Sequence, residues 1–270
     1  MGVRGHLFAG RFGHPWALST HARVIHALVL RDIQTRTGGS YFGFFFGLVM
    51  PLGHIGLLLL SYVALGRKPA IGTDTLLFLT SAILPFIIWS YTHQKMIAAF
   101  SQNRALIAFP VVGFNEIAVS RAIVELFSSI LISAITMICI WISGTEMIFN
   151  SIKMLLFCFF ISYLLGVGTG SVFGVLSVFN NFIALLGYLL IPLFWLTCGA
   201  LFIPDALPEL VRGAVSVFAI AHIVDFARMA VYPGYFSQFP SIEFIVIAVG
   251  GNILLFYVLL RLMHVALKSN

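Results

Sequence analysis

Apolar residues in this chain gather into long runs that contain almost no charge. Crossing the hydrocarbon of a bilayer takes about 20 apolar residues in a helix. Six runs meet that length, at about 41 to 65, 75 to 94, 118 to 142, 152 to 178, 182 to 203 and 242 to 262. A membrane barrel would instead need short segments alternating between apolar and polar positions, and these runs do not alternate. Because backbone groups in lipid must be satisfied within the segment itself, each run predicts a helix. The expected fold class is all-α integral membrane. It has six transmembrane helices, an N-terminal amphipathic interface helix, and short re-entrant or periplasmic helices between spans five and six.

Two stretches interrupt this pattern. From Gly213 to Val231 the chain is apolar enough for a seventh span, but His222, Asp225 and Arg228 break the run and Pro204, Pro208, Pro233 and Pro240 bracket it. An uninterrupted run of roughly 10 to 14 residues suits a re-entrant or interfacial helix better than a crossing. Asp225 and Arg228, three apart, are placed to pair on one helix face. The other stretch, Lys95 to Glu116, reads as a cytoplasmic loop with its own short helix. Asn180 and Asn181 alone separate runs four and five, which makes those two helices antiparallel neighbours.

Composition agrees with the pattern: 60% of the 270 residues are hydrophobic and 9% charged, against roughly 25% charged in soluble domains. The chain reads as a single membrane domain over 1–270. It divides into a cytoplasmic N-terminus with the interface helix (1–40), spans one to five (41–203), external helices (204–241), and span six with a cytoplasmic tail (242–270). Six spans put both termini on one side. Ten of the fifteen Lys and Arg residues then fall on the side of the termini and five on the other, which makes the termini cytoplasmic. The first 40 residues lack the short apolar core and small-residue site of a cleaved signal. The net charge of +6 is accounted for by this loop asymmetry, with no nucleic-acid partner implied.

At residues 28 to 51, Arg31, Asp32 and Arg36 lead without loop composition into a run that holds no charge until Arg67. A water-side element is thus joined end to end with a span, so a push outside the bilayer reaches inside it. Glycine recurs at every fourth position in Gly39, Gly43 and Gly47, and again in Gly166, Gly170 and Gly174. Each series makes a smooth face for close helix approach, within this chain or against a second copy. Arg121 and Glu125 lie four apart near the cytoplasmic end of span three, where charge must be paired or reach water. They read as a structural ion pair or as a contact carrying movement into the span, and the Arg-before-Glu order leaves room for partners on other helices.

Several chemistries find no support. There is no Gly-Lys-Ser/Thr phosphate loop, no Gly-x-Ser-x-Gly elbow, no mid-span acid for a proton relay and no metal-ligand spacing among the eight histidines and three cysteines. No catalytic or metal residues are expected, and energy must come from elsewhere. Tyr41, Phe42 and Phe45, at the mouth of span one, contact lipid or line a channel where sugar rings stack on them.

Taken together, Leu30-Arg31-Asp32-Ile33-Gln34-Thr35-Arg36, Pro51, the Ser120 to Glu125 stretch and the Ala221 to Tyr235 stretch resemble the permease subunits of type 2 ABC exporters for capsular polysaccharide. The most specific part is His222-x-x-Asp225-x-x-Arg228-x-x-x-x-Pro233-Gly234-Tyr235. Family members often carry Asn-Pro-Leu before that His, where Ala219-Ile220-Ala221 stands here. The resemblance implies a homodimer in the bacterial inner membrane, with two ATPase subunits on the cytoplasmic face and further periplasmic or outer-membrane export proteins. The substrate would be a lipid-linked capsular or surface polysaccharide, and ATP and Mg would belong to the partner ATPase, with no cofactor in this chain. Residues 20 to 40 would form the interface helix and 96 to 110 a coupling helix, with Arg31, Asp32, Arg36, Asn103 and Arg104 docking the ATPase. His222, Asp225, Arg228, Pro233, Gly234 and Tyr235 would belong to an external gate over 204–236. An exporter permease for a small lipid or drug, and an integral membrane transferase, are the alternatives.

Overall fold

The computed structural model describes residues 15–36, 41–108, 111–147 and 149–269. The described residues are helical with no strand: α1 (Pro15–Arg36), α2 (Tyr41–Ala64), α3 (Thr75–Gln102), α4 (Phe114–Ile142), α5 (Ile152–Ser177), α6 (Asn181–Thr197), α7 (Glu209–Val215), α8 (Ala219–Val231) and α9 (Ile242–Ser269). Helices α2, α3, α4, α5 and α9 are each long and apolar enough to cross a membrane. The chain is a multi-pass α-helical membrane protein.

Caps set several helix starts. The Asp74 carboxylate accepts from the Leu77 amide at the head of α3, the Ser151 hydroxyl from Met154 at α5, and the Asn180 side chain from Phe182 at α6. Each satisfies one of the amides a first helical turn leaves without a partner. Asp74 also accepts from Thr145 at 2.9 Å, pinning the α4–α5 turn to the start of α3.

Helix α3 is the axis of the domain, with 83% of its apolar stretch buried against 22% for α2 and 17% for α9. Its closest neighbour is α5, and the glycine series explains the approach. A Cβ on Gly166 would lie 2.8 Å from the Trp89 carbonyl, one on Gly170 2.6 Å from the His93 carbonyl, and one on Gly174 inside the Phe100 ring. The smooth face of α5 is therefore spent within the chain. In the other series, Gly39 lies outside the described residues, as do the surroundings of Gly43. A Cβ on Gly47 would meet open space.

The core has two parts. The larger packs α3 against α5, α8 and parts of α2, α4 and α9 around Phe78, Phe86 and Trp89. The smaller gathers Leu28 of α1 with Met96, Phe100, Phe114, Ile117, Val172 and Phe256, so α1 is docked on one end of the bundle. His93 is a core histidine, bonded to Thr169 and the Gly187 carbonyl and stacked on Trp89.

Three expectations need correction. No separate coupling helix spans 96 to 110. Helix α3 runs on to Gln102, past the apolar run that ends near residue 94, and only a single 3-10 turn, Arg104–Ala108, follows. Lys95 and Gln102 are exposed, and outside hydrocarbon a helix needs no apolar residues to continue. The fifth expected span, 182 to 203, is a helix only to Thr197. Cys198 caps it and Gly199 follows with φ of +78°, the left-handed conformation that ends helices and suits glycine. At about 1.5 Å per residue, α6 is short for an upright crossing. Finally, the interface helix begins at Pro15, earlier than expected. As expected, 213 to 231 is not one continuous helix: α7 and α8 meet at a bend of 103°.

Candidate functional site: two polar clusters at opposite ends of the bundle

At the end carrying α1, charged side chains from three helices converge. The Asp32 carboxylate accepts from Arg121 Nη1 at 2.8 and 3.0 Å, and the other arm of Arg121 donates to Gln102 at the end of α3. Asp32 is 9% and Arg121 4% exposed, so this is a largely desolvated pair joining α1 to α4. Arg31, one residue earlier, donates to the Asn103 side chain, and the Asn103 amide group in turn donates to the Ala99 carbonyl at 2.7 Å. Glu116 makes the third tie: one carboxylate oxygen accepts from the Gly113 amide and caps α4, while the other lies 2.6 Å from His21 of α1.

These contacts enclose a polar cavity of about 410 Å³ lined by Arg31, Asp32, Thr35, Lys95, Gln102, Asn103 and Arg121. The structure thus brings together Arg31, Asp32 and Asn103, which the sequence places in one coupling surface, but turns Asp32 and Asn103 inward. Arg104 is exposed on the 3-10 turn, and the Arg36 side chain lies outside those described. Arg121 reaches across to α1, and Glu125 is buried one turn further along α4. His21, Gln102 and Lys95 escaped notice as site residues. Nothing in the spacing of His21 and Glu116, 95 positions apart, could have revealed their contact.

At the other end, α7, α8 and the loop to α9 form a hairpin whose contacts come largely from the His222 to Tyr235 signature. His222 Nδ1 accepts from the Ser241 amide at 3.0 Å, so its Nε2 donates to the Ser216 carbonyl at 2.8 Å. One imidazole therefore ties the α7–α8 bend to the start of α9. Its ring stacks on Phe239 at 4.6 Å.

Asp225 accepts from the Tyr235 hydroxyl at 2.8 Å. Burial pushes the Tyr235 phenol well above its usual value, and the Asp225 carboxyl adds to the effect, so the hydroxyl stays a donor. Between them, Tyr232-Pro233-Gly234-Tyr235 closes a turn: the Tyr235 amide donates to the Tyr232 carbonyl at 3.2 Å, and Gly234 has φ of +86°. Proline second and a left-handed glycine third are the residues a type II turn needs.

Arg228 is fully buried. It donates to the Phe202 carbonyl at 2.6 Å and the Ala200 carbonyl at 2.9 Å, and its guanidinium sits 4.6 Å from the centre of the Phe78 ring. Those carbonyls lie just past the end of α6, so Arg228 satisfies backbone that the early end of that helix leaves open. The expected Asp225–Arg228 ion pair does not form. Carbonyls of the α6 end and the Tyr235 hydroxyl take the two side chains in different directions. Asp205, a lone acid in the loop before α7, accepts from the Ser237 hydroxyl and the Gln238 amide and closes the hairpin's far side. The side chains of Tyr41, Phe42 and Phe45 lie outside those described.

The chain is thus a helical membrane protein with an interhelical charge joint at one end and a bent helix pair at the other. Over most of its length the chain is similar to a polysialic acid transport protein and to capsule polysaccharide export inner-membrane proteins. It is 27% identical to the polysialic acid transport protein KpsM of Escherichia coli, over 82% of this chain and 86% of the relative. It is 22% identical to the capsule polysaccharide export inner-membrane protein BexB of Haemophilus influenzae, over 86% and 88%. With CtrC of Neisseria meningitidis serogroup B, another capsule polysaccharide export inner-membrane protein, it shares 24% over 82% of each. No family model matches the chain.

Proposed function

We propose that this chain is the transmembrane subunit of an ATP-driven exporter that moves lipid-linked capsular or related surface polysaccharide across the bacterial inner membrane. Similarity over 82 to 86% of the chain to a polysialic acid transport protein and to two capsule polysaccharide export inner-membrane proteins carries the reading. In this reading two copies form the path and two ATPase subunits bind the cytoplasmic face. Periplasmic and outer-membrane proteins continue the route. The excess of Lys and Arg on the side of the termini supports a cytoplasmic location for both. ATP and Mg belong to the ATPase, and this chain carries no cofactor and hydrolyses nothing itself.

The Asp32–Arg121 joint gives the coupling a physical form. A docked ATPase that moves the end of α1 also moves α4 through a charge-assisted bond and the end of α3 through Gln102 and Asn103. Exposed Arg104 is the residue best placed to meet the partner. The decisive experiment is affinity purification of the tagged chain from its own membranes. An ATPase with a phosphate loop should copurify, and Arg104→Glu should reduce its recovery while the chain stays in the membrane. Lipid or sugar transferase activity in the purified chain without any ATPase would overturn the proposal.

A further inference from the structure

We propose that the cavity between α1, α3 and α4 binds a lipid-borne phosphate group. The proposal rests on the cytoplasmic orientation assigned above. Three of the seven residues lining the cavity are cations, Arg31, Lys95 and Arg121, and Asp32 is the one acid among the seven. Its volume of about 410 Å³ lies in the range of small-ligand sites, roughly 300 to 1,000 Å³.

The cations are set for such a ligand in different ways. Arg121 is held rigidly by Asp32 and Gln102, which fixes one wall. Arg31 donates to Asn103 through one arm, while its Nε is buried with no partner. A guanidinium fork matches two phosphate oxygens at once. Lys95 is exposed two turns before the end of α3 and brings an ammonium to the cavity wall. Basic pockets between transmembrane helices on the cytoplasmic side recognise phosphorylated head groups. The phosphate has two sources with the same chemistry: a bilayer phospholipid, or the group joining a saccharide to its lipid.

The test uses the full chain in phosphatidylcholine nanodiscs titrated with inorganic pyrophosphate, followed by thermophoresis. Lys95→Gln should weaken binding about tenfold, the loss of one charge-assisted contact, and Lys95→Gln with Arg31→Gln should abolish it. Lys153→Gln, at an exposed cation on the opposite end, should leave binding unchanged. Lys95 is exposed, so its variant leaves the Asp32–Arg121 joint in place. Native mass spectrometry from nanodiscs containing phosphatidylglycerol separates the sources. Fewer retained phosphatidylglycerol molecules in the double variant assign the site to bilayer lipid. Unchanged retention with lost pyrophosphate binding assigns it to the substrate's phosphate. Pyrophosphate binding that survives both Lys95→Gln and the double variant overturns the site, whatever ATPase copurification shows about export.

Discussion

The two ends of the bundle solve the same problem, charge close to a membrane, in opposite ways. At the α7–α8 hairpin the buried guanidinium of Arg228 is spent on backbone carbonyls of one neighbouring loop, and His222 and Asp225 bond to groups 6 to 19 residues away. At the end carrying α1, side chain meets side chain across 72 to 95 residues, and across 19 where Arg121 reaches Gln102. Backbone partners lock one conformation, because an abandoned carbonyl has nothing else to bond in an apolar interior. Paired side chains beside a polar cavity can part and find water. The hairpin is therefore built as a scaffold and the α1 end as a joint.

The sharpest way to break this contrast is at Arg228. Arg228→Leu leaves the Ala200 and Phe202 carbonyls without their donor and removes the cation over Phe78. At ~1–3 kcal/mol for each orphaned group, we expect a loss of about 4 kcal/mol. Thermal unfolding in detergent and accumulation in the membrane should both report it. Near-normal stability with altered export would make Arg228 a moving gate residue and dissolve the scaffold reading.

The joint should behave differently. Asp32→Ala takes the carboxylate away from a largely buried Arg121, at a cost of about 3 kcal/mol. Replacing both with Asp32→Ala and Arg121→Met should restore most of that, since an apolar pair can substitute for a buried ion pair. Export by the double variant should nevertheless stay low if the bond carries movement. Restored stability together with restored export would reduce the pair to packing.

The same contrast explains what could be read from the sequence. Long charge-free runs announce membrane helices because bilayer thickness demands them, so α2, α3, α4, α5 and α9 were legible. Where α3 ends was not, because a helix entering water loses the apolar requirement but not its backbone bonds, and it continues through Lys95 to Gln102. The early end of α6 was equally hidden. Gly199 sits inside an apolar run, and only its positive φ makes it a stop. The signature residues of the hairpin stood out because they interrupt an apolar run. Yet helical spacing suggested the wrong partner for Asp225, since face sharing at i, i+3 says nothing about a carbonyl or a tyrosine hydroxyl arriving from another segment. The joint was half visible: Arg31, Asp32 and Arg121 could be singled out as charges near a span, but not that Asp32 and Arg121 meet.

The glycines sharpen the comparison along the bundle's length. Gly170→Ala forces a Cβ to 2.6 Å from the His93 carbonyl, where backbone cannot yield, and overpacking of this kind costs about 2 kcal/mol. Gly47→Ala enters open space and should change the stability of the isolated chain by less than ~0.5 kcal/mol. If Gly47→Ala leaves the chain intact but lowers recovery of a dimer, the face of α2 is one that a second copy covers.

A modest effect tests whether the hairpin's parts act as one. Tyr235→Phe removes the donor to Asp225 but keeps the ring and the Pro233-Gly234 turn. One hydrogen bond to a carboxyl is worth about 1 kcal/mol net, and Asp225 already has a buried oxygen, Oδ2, with no partner, so removing the hydroxyl deepens an existing deficit. Asp225→Asn in the Tyr235→Phe background removes the charge that deficit concerns. In a scaffold, that second change should recover part of the loss in unfolding free energy. Additive losses instead would mean that Asp225 answers to something beyond Tyr235, and the hairpin end would then share the character of the joint.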